Sequence, residues 1–236
     1  MSIKRIIPLV SLCFISIGMK GQGFEFRPAI GWGTYAMADF KDFQQYAIPD
    51  IGVNVKSVKE FPGYANFGAD MLYYLNPSFG FGATTGYYST GARNSYADYS
   101  GSYKMDIKAR AVNFGGIVSY KQEVGSNLFL GLELSSGIKL ANIDIAEKLV
   151  IPSQGFDETY QFESHNWWMM PQVRMSRYFF TDISFGIYAG YEYNAKSKIE
   201  TKENVLHYLV GENGPVRQDW SGARFGVYVT IPMNNL

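Results

Sequence analysis

The sequence predicts an all-β fold, an eight-stranded antiparallel up-and-down barrel, and three observations carry that prediction. From Phe24 onward apolar residues recur at period two through eight segments, the spacing at which successive side chains take opposite faces of a strand. Aromatic residues make up 17% of the 236 residues and 25 are glycine, a balance that favours strands and tight turns over helices. Connections between the segments alternate between short and long, which gives the array one trimmed end and one elaborated end.

Residues 1–23 read as a leader and 24–236 as the barrel. Two cations, Lys4 and Arg5, precede an almost wholly apolar run from Ile6 to Ile17, and small residues follow at Gly18, Gly21 and Gly23, the order of a secretory signal peptide. Cleavage near Gly21 or Gly23 removes Cys13, the one cysteine, so disulfide and thiol chemistry are not expected in the exported chain. The competing reading is a lipid anchor on Cys13, opposed by bulky Leu12 at a place where lipoprotein signals carry a small residue. No apolar stretch reaches the roughly 20 residues that a spanning helix needs.

The first segment places Phe24, Phe26, Ile30 and Trp32 on one face and Glu25, Arg27, Gly31 and Gly33 on the other. The second opposes Phe67, Met71, Tyr73 and Leu75 to Gly68 and Asp70, and the third opposes Phe79, Phe81 and Tyr87 to Gly80, Gly82 and Gly86, with Asn76, Pro77 and Ser78 as the turn between them. In the fourth, Val112, Phe114, Val118 and Tyr120 share a face, but upstream of Arg110 the apolar residues Met105, Ile107 and Ala109 sit at odd positions, a slip that predicts a β-bulge. The fifth runs Leu128, Leu130, Leu132, Leu134, Ile138, Leu140 against Glu133, Gly137 and Lys139. The sixth sets Trp167, Met169, Val173 and Met175 against Gln172 and Arg174, with Arg177 its one charge on the apolar face. Ile183 to Tyr193 and Phe225 to Met233 complete the set, with Glu192 and Arg224 on their polar faces. Expected short turns are Asn76–Ser78, Lys121–Asn127 and Thr181–Asp182; expected long loops are Ala36–Pro62, Ser89–Ser102, Asp144–Glu158 and Asn194–Ser221.

Alternation alone also suits a soluble exported β-domain with a wet polar face. The polar face decides between the two, because it is dominated by glycine and carries only Glu25, Asp70, Glu133 and Glu192 against Arg27, Lys139, Arg174 and Arg224. Equal numbers of acids and bases suit a closed interior ion-pair network. Turning those cations toward lipid costs about 2 to 4 kcal/mol each near the midplane, so an inverted barrel loses on the order of 10 kcal/mol, comparable to a domain's whole stability. The eight charges are therefore assigned to the lumen and the apolar face to hydrocarbon. Aromatic girdles then fall at Trp32, Phe67, Tyr87, Trp167, Tyr191 and Tyr193 toward the long-loop end, and at Tyr73, Phe79, Tyr120 and Phe179 toward the short-turn end.

On these residues the chain from Phe24 onward resembles small eight-stranded bacterial outer-membrane barrels of the OmpA and OmpX type and the related PorT-like barrels. The resemblance implies a transmembrane β-barrel in the outer membrane, outer-membrane lipid and lipopolysaccharide as surroundings, the barrel assembly machinery as a partner, and extracellular loops that meet a protein or surface ligand. With 21 basic and 21 acidic residues the chain offers no cationic footprint for nucleic acid.

Chemistry-bearing residues are sparse. His165 and His207 lack neighbours at metal-ligand spacing, and Ser164 beside His165 suggests a lipid hydrolase only until strand geometry sends the two to opposite faces. Gly80, Gly82 and Gly86 lack the spacing of a phosphate cradle, and Asp39, Asp42 and Asp50 lack that of a calcium loop. Tyr96, Tyr99, Tyr103 and Tyr160 suggest an adhesive aromatic patch or strand extensions above the membrane. The expectation is a non-enzymatic barrel without cofactor or metal, its lumen filled by side chains and its long loops available for recognition or envelope scaffolding. The alternatives are a narrow pore or small hydrophobic solute transporter, and a lipid-modifying outer-membrane hydrolase.

Overall fold

A computed structural model of the chain describes residues 23–46, 56–99, 101–152, 154–179, 183–202, 204–211 and 214–233. Apart from Gly23, the leader lies outside the described residues, as do Cys13, Asp50 and the Thr181–Asp182 turn.

Eight antiparallel strands close into a ring: β1 (Gly23–Gly33), β2 (Tyr64–Tyr74), β3 (Phe79–Asp98), β4 (Gly101–Gly125), β5 (Leu128–Ile151), β6 (Gln154–Tyr178), β7 (Ser184–Asn194) and β8 (Gly222–Pro232). Each pairs with the next in sequence, and β8 returns to β1 through pairs such as Ile30↔Val227, which leaves no edge within this ring. At the trimmed end Asn76 makes the β2–β3 turn, its Oδ1 accepting from the backbone N–H of Ser78 and Phe79 at 2.9 and 2.8 Å. The β4–β5 turn is tighter than expected, since β4 continues to Gly125 and Asn127 takes the left-handed conformation at φ 59°.

Strand lengths fall into two classes. β1, β2, β7 and β8 each have 11 residues, about 36 Å of extended chain and enough for one membrane crossing. β3 has 20 residues, β5 has 24, and β4 and β6 have 25, so these four rise about 30 to 45 Å further along the strand. Two of the four expected long loops are thus corrected to strand arms: Ser89–Ser102 is the tip of the β3–β4 hairpin and Asp144–Glu158 that of β5–β6.

The predicted bulge at Arg110 is likewise corrected. Pairing of β4 with β5 keeps one register from Ser102↔Val150 to Glu123↔Phe129, and pairing with β3 is unbroken from Asp98↔Gly101 to Phe79↔Tyr120. The pleat never slips, and what changes is the surroundings. Below Arg110 the odd residues Asn113 and Ser119 face a polar lumen while Phe114, Val118 and Tyr120 face out; above it Tyr103, Met105, Ile107 and Ala109 still face in, now into an apolar core. β5 does the same, with Leu134, Ile138 and Leu140 outward and Ile143 and Ile145 inward.

That core fills the tall end, hereafter the turret. Helix α1 (Ala38–Tyr46) delivers Phe40, the loop segments deliver Met37, Phe61, Ile199, Val216 and Trp220, and the strands deliver Met105, Ile107, Ile143 and Phe162, all buried. Gln44 of the helix donates to Asn94 Oδ1 at 2.6 Å and fixes it over the mouth. Lys56–Glu60 pairs with the upper part of β3, and Glu200–Thr201 with β6, so loop segments stand in where the short strands end.

Candidate functional site

The lumen brings together all eight charges assigned to it, in three groups. Toward the short-turn end Glu25 pairs with Lys121 at 2.5 Å, a lysine within the expected Lys121–Asn127 turn that belongs instead to β4, which runs on to Gly125. In the middle, Glu133 meets Arg27 Nη1 at 2.7 Å and Arg174 Nε at 2.6 Å, while Asp70 meets Arg174 Nη2 at 2.6 Å and Arg27 at 3.7 Å. Gln172 and Ser119 each donate to Glu133 at 2.8 Å. The four charged side chains come from β1, β2, β5 and β6, so the cluster ties opposite walls of the ring. They are buried, which requires each charge to be met by its opposite.

Nearer the mouth lies the third group. Lys139 and Arg224 flank Glu192, Lys139 in direct hydrogen bond and Arg224 at 3.5 Å. Two cations thus share one carboxylate. The remainder is met by aromatic faces and carbonyls: Lys139 Nζ lies 4.2 Å from the centre of the Tyr88 ring, Arg224 lies 4.8 Å from that of Tyr35, and Arg224 donates to Trp220 O at 2.7 Å. Tyr35 and Trp220 belong to the apolar core above. Of this aromatic lid, Tyr35 continues the lumen face of the first alternating segment, whereas Trp220 lies in a connecting segment outside the alternation.

Glycines on the lumen face supply the room. A β-carbon at Gly31 would sit 2.2 Å from Tyr188 Oη, and one at Gly186 would sit 2.4 Å from the Tyr228 ring. Each bulky tyrosine is seated over a position without a side chain, the packing that an eight-stranded lumen demands.

On the outside, the girdle residues Trp32, Phe67, Phe79, Tyr87, Tyr120, Trp167, Phe179, Tyr191 and Tyr193 are all exposed, and Tyr73 is half-buried between Phe24 and Phe81. Between the two rows the outward positions are apolar with two interruptions, Thr85 and Ser136, whose hydroxyls donate to the backbone carbonyls of Asn113 and Trp168 at 2.9 and 3.0 Å; the rest include Leu132, Leu134, Ile138, Val173, Ile187 and Val227. From Phe79 to Tyr87 the belt spans about 26 Å along the strand, which tilt reduces to a height near that of a bilayer core.

No catalytic constellation accompanies this arrangement among the described residues. Ser164 points inward, bonded to Asn166 Oδ1 at 2.9 Å and to Ser197, whereas His165 is exposed on the opposite face. No group of three or more metal-ligating side chains occurs among the described residues, and Asp39 instead accepts from the backbone N–H of Arg217 at 3.2 Å. Of the four tyrosines proposed as a patch, Tyr103 is corrected to a core residue; Tyr99 at the β3–β4 tip is fully exposed, and Tyr96 and Tyr160 bond Asp98 and Glu158.

No protein-family model and no curated protein matches the chain. Among solved structures, the N-terminal β-barrel domain of Pseudomonas aeruginosa OprF is 11% identical, with 90% of this chain and 100% of that one covered at a TM-score of 0.35. Ail, the attachment invasion locus protein of Yersinia pestis, solved with the heparin analogue sucrose octasulfate, is 14% identical over 89% of this chain and 98% of that one at 0.37. The outer membrane protease OmpT from Escherichia coli is 8% identical over 92% and 98% at 0.36. Scores at this level leave the geometry of the chain itself as the basis for its function.

Proposed function

We propose that the chain is an integral protein of the bacterial outer membrane, without catalytic activity, in which a lipid-embedded barrel holds an apolar-cored turret above the cell surface. The observation that carries this reading is the reversal of polarity along single strands. Where β5 shows leucine outside it buries Lys139 and Glu133, and where it shows Lys148 outside it buries Ile143 and Ile145. The first arrangement is stable only with hydrocarbon around it and the second only with water around it.

Buried ion pairs and the aromatic lid favour a lumen closed to solutes, and the exposed tip residues Tyr99, Val150 and Phe156 favour recognition at the far end of the turret. A turret with its own core holds such a surface in place at little entropic cost on binding. Reconstitution in planar bilayers tests the closed lumen: the intact barrel is expected to give no steady conductance, and stable single-channel steps that change on charge substitution at Glu192 would establish a pore instead. Protease treatment of intact cells checks the orientation, with cleavage confined to turret sequences.

A further inference from the structure

Directly above the outer girdle, between β3 and β4, the turret wall carries a basic cleft. Tyr87 is in register with Val112, and the next two outward positions on β4 are Arg110, facing Ser89, and Lys108, facing Gly91. Because Ser89 is small and Gly91 has no side chain, a cleft of about 280 Å³ opens there, bounded on one side by Tyr64, whose ring stacks on the girdle residue Trp32 at 6.4 Å. Each outward step is about 7 Å along the strand, and the headgroup layer of a leaflet is about 5 to 7 Å thick. With the strand tilt, Arg110 therefore stands about 5 Å above the girdle, at headgroup depth in the outer leaflet, and Lys108 about 11 Å above it, at the outer rim of that layer, from which its long flexible side chain reaches down.

The charges are available. Asp106, the carboxylate lining the cleft, is already met by Arg93 Nη2 at 3.1 Å and Lys104 Nζ at 2.8 Å. Asp144 lies across from Lys108 on β5, yet among the described residues no ion pair engages Lys108, Arg110 or Asp144. At the same level the neighbouring strands offer Asn142 and Glu163, so the basic character is local to β4.

We propose that Lys108 and Arg110 bind a phosphate group on a glycolipid headgroup of the outer leaflet, the lipid's acyl chains lying along the apolar belt below. This rests on the outer-membrane reading above. Lysine supplies a point charge and arginine a planar fork of donors, a pairing suited to a phosphomonoester, and the girdle sets its depth.

The test titrates the mature barrel, refolded in detergent, with bisphosphorylated lipid A in mixed micelles, beside phosphatase-treated lipid A, inorganic phosphate and heparin. The intact barrel is expected to bind the phosphorylated lipid, and Lys108→Gln with Arg110→Gln to weaken it about tenfold or more while each single change removes part of the affinity. Rising salt should weaken the intact barrel more than the double variant. Equal binding by the double variant, or equal binding of dephosphorylated lipid A, would overturn the site. Inorganic phosphate binding as tightly as lipid A would assign the cleft to the free ion, and heparin binding more tightly through the same two residues would assign it to a soluble polyanion; either defeats the lipid assignment. Both proteins should shift on unheated gels and partition into vesicles. Failure of the intact barrel to partition defeats the membrane reading and the proposal together, whereas partition without phosphate discrimination defeats the proposal alone.

Discussion

Two stretches of β5, one pleat and one register, obey opposite rules. Between Leu130 and Leu140 the outward residues are aliphatic apart from Ser136, and the inward ones include Glu133, Ser135 and Lys139; from Ala141 to Ile145 the inward residues are aliphatic and Asn142 faces out. The exchange happens at matching positions across the four long strands, at the register partners Tyr88, Ala111, Ala141 and Ser164, all inward and buried. A strand has no intrinsic inside. The phase of its hydrophobicity reports which solvent bathes it, and here that solvent changes partway along the chain.

The largest separation between the regions is expected from removing one member of the central ion cluster. Arg174→Ala leaves Glu133 and Asp70 short of a partner in the belt, and should cost about 3 to 5 kcal/mol, read from urea unfolding in lipid vesicles. An unchanged midpoint would mean that the cluster is hydrated.

Next comes the turret core, where Ile143→Ala removes a fully buried side chain and should cost about 2 to 5 kcal/mol. That loss should appear as faster proteolysis of the turret while the belt keeps its unheated gel shift; joint loss of both would show a single cooperative unit. The matched change on the outside, Leu134→Ala, leaves no cavity because lipid fills the space, and should cost only the transfer of the lost carbons from hydrocarbon to water, about 2 kcal/mol.

A charge scan sharpens the boundary further. Leu134→Arg, outward near the middle of the belt, should cost about 2 to 4 kcal/mol, whereas Ala146→Arg on the turret wall should stay within about 0.5 kcal/mol, both by the same unfolding assay.

The smallest effect concerns pH. Burial works against the Asp106 carboxylate, but hydrogen bonds from Arg93 and Lys104 outweigh it and hold the group below the usual carboxylate range. A depressed folded-state value means that the contribution is complete above the unfolded value and is lost as pH falls through the folded one. Turret protease resistance should therefore decline slightly on acidification, and Asp106→Asn should remove that part of the pH dependence.

Legibility in the sequence followed the same boundary. Within the belt, alternation with lumen glycines was enough to name eight strands, both girdles and the inward charges, because a face that meets lipid must be apolar at every second residue. Above it, Met105, Ile107 and Ala109 broke the phase and suggested a bulge, although no residue is inserted. One sign was present: the same parity switch occurs in β4 and in β5 at residues that prove to be register partners, and a bulge in one strand does not produce a matching switch in its neighbour. The lid over Lys139 was only half legible, since Tyr35 extends the lumen face of the first segment but Trp220 comes from a connecting segment with no period to read.

Single nitroxide labels at the outward positions of β5, from Leu130 to Val150, measure the reversal most directly. In the reconstituted barrel, labels up to Leu140 are expected to collide mainly with membrane-dissolved oxygen, and those from Asn142 onward mainly with a water-soluble nickel chelate. Nickel access along the whole strand, with no crossover, would contradict a belt held in lipid.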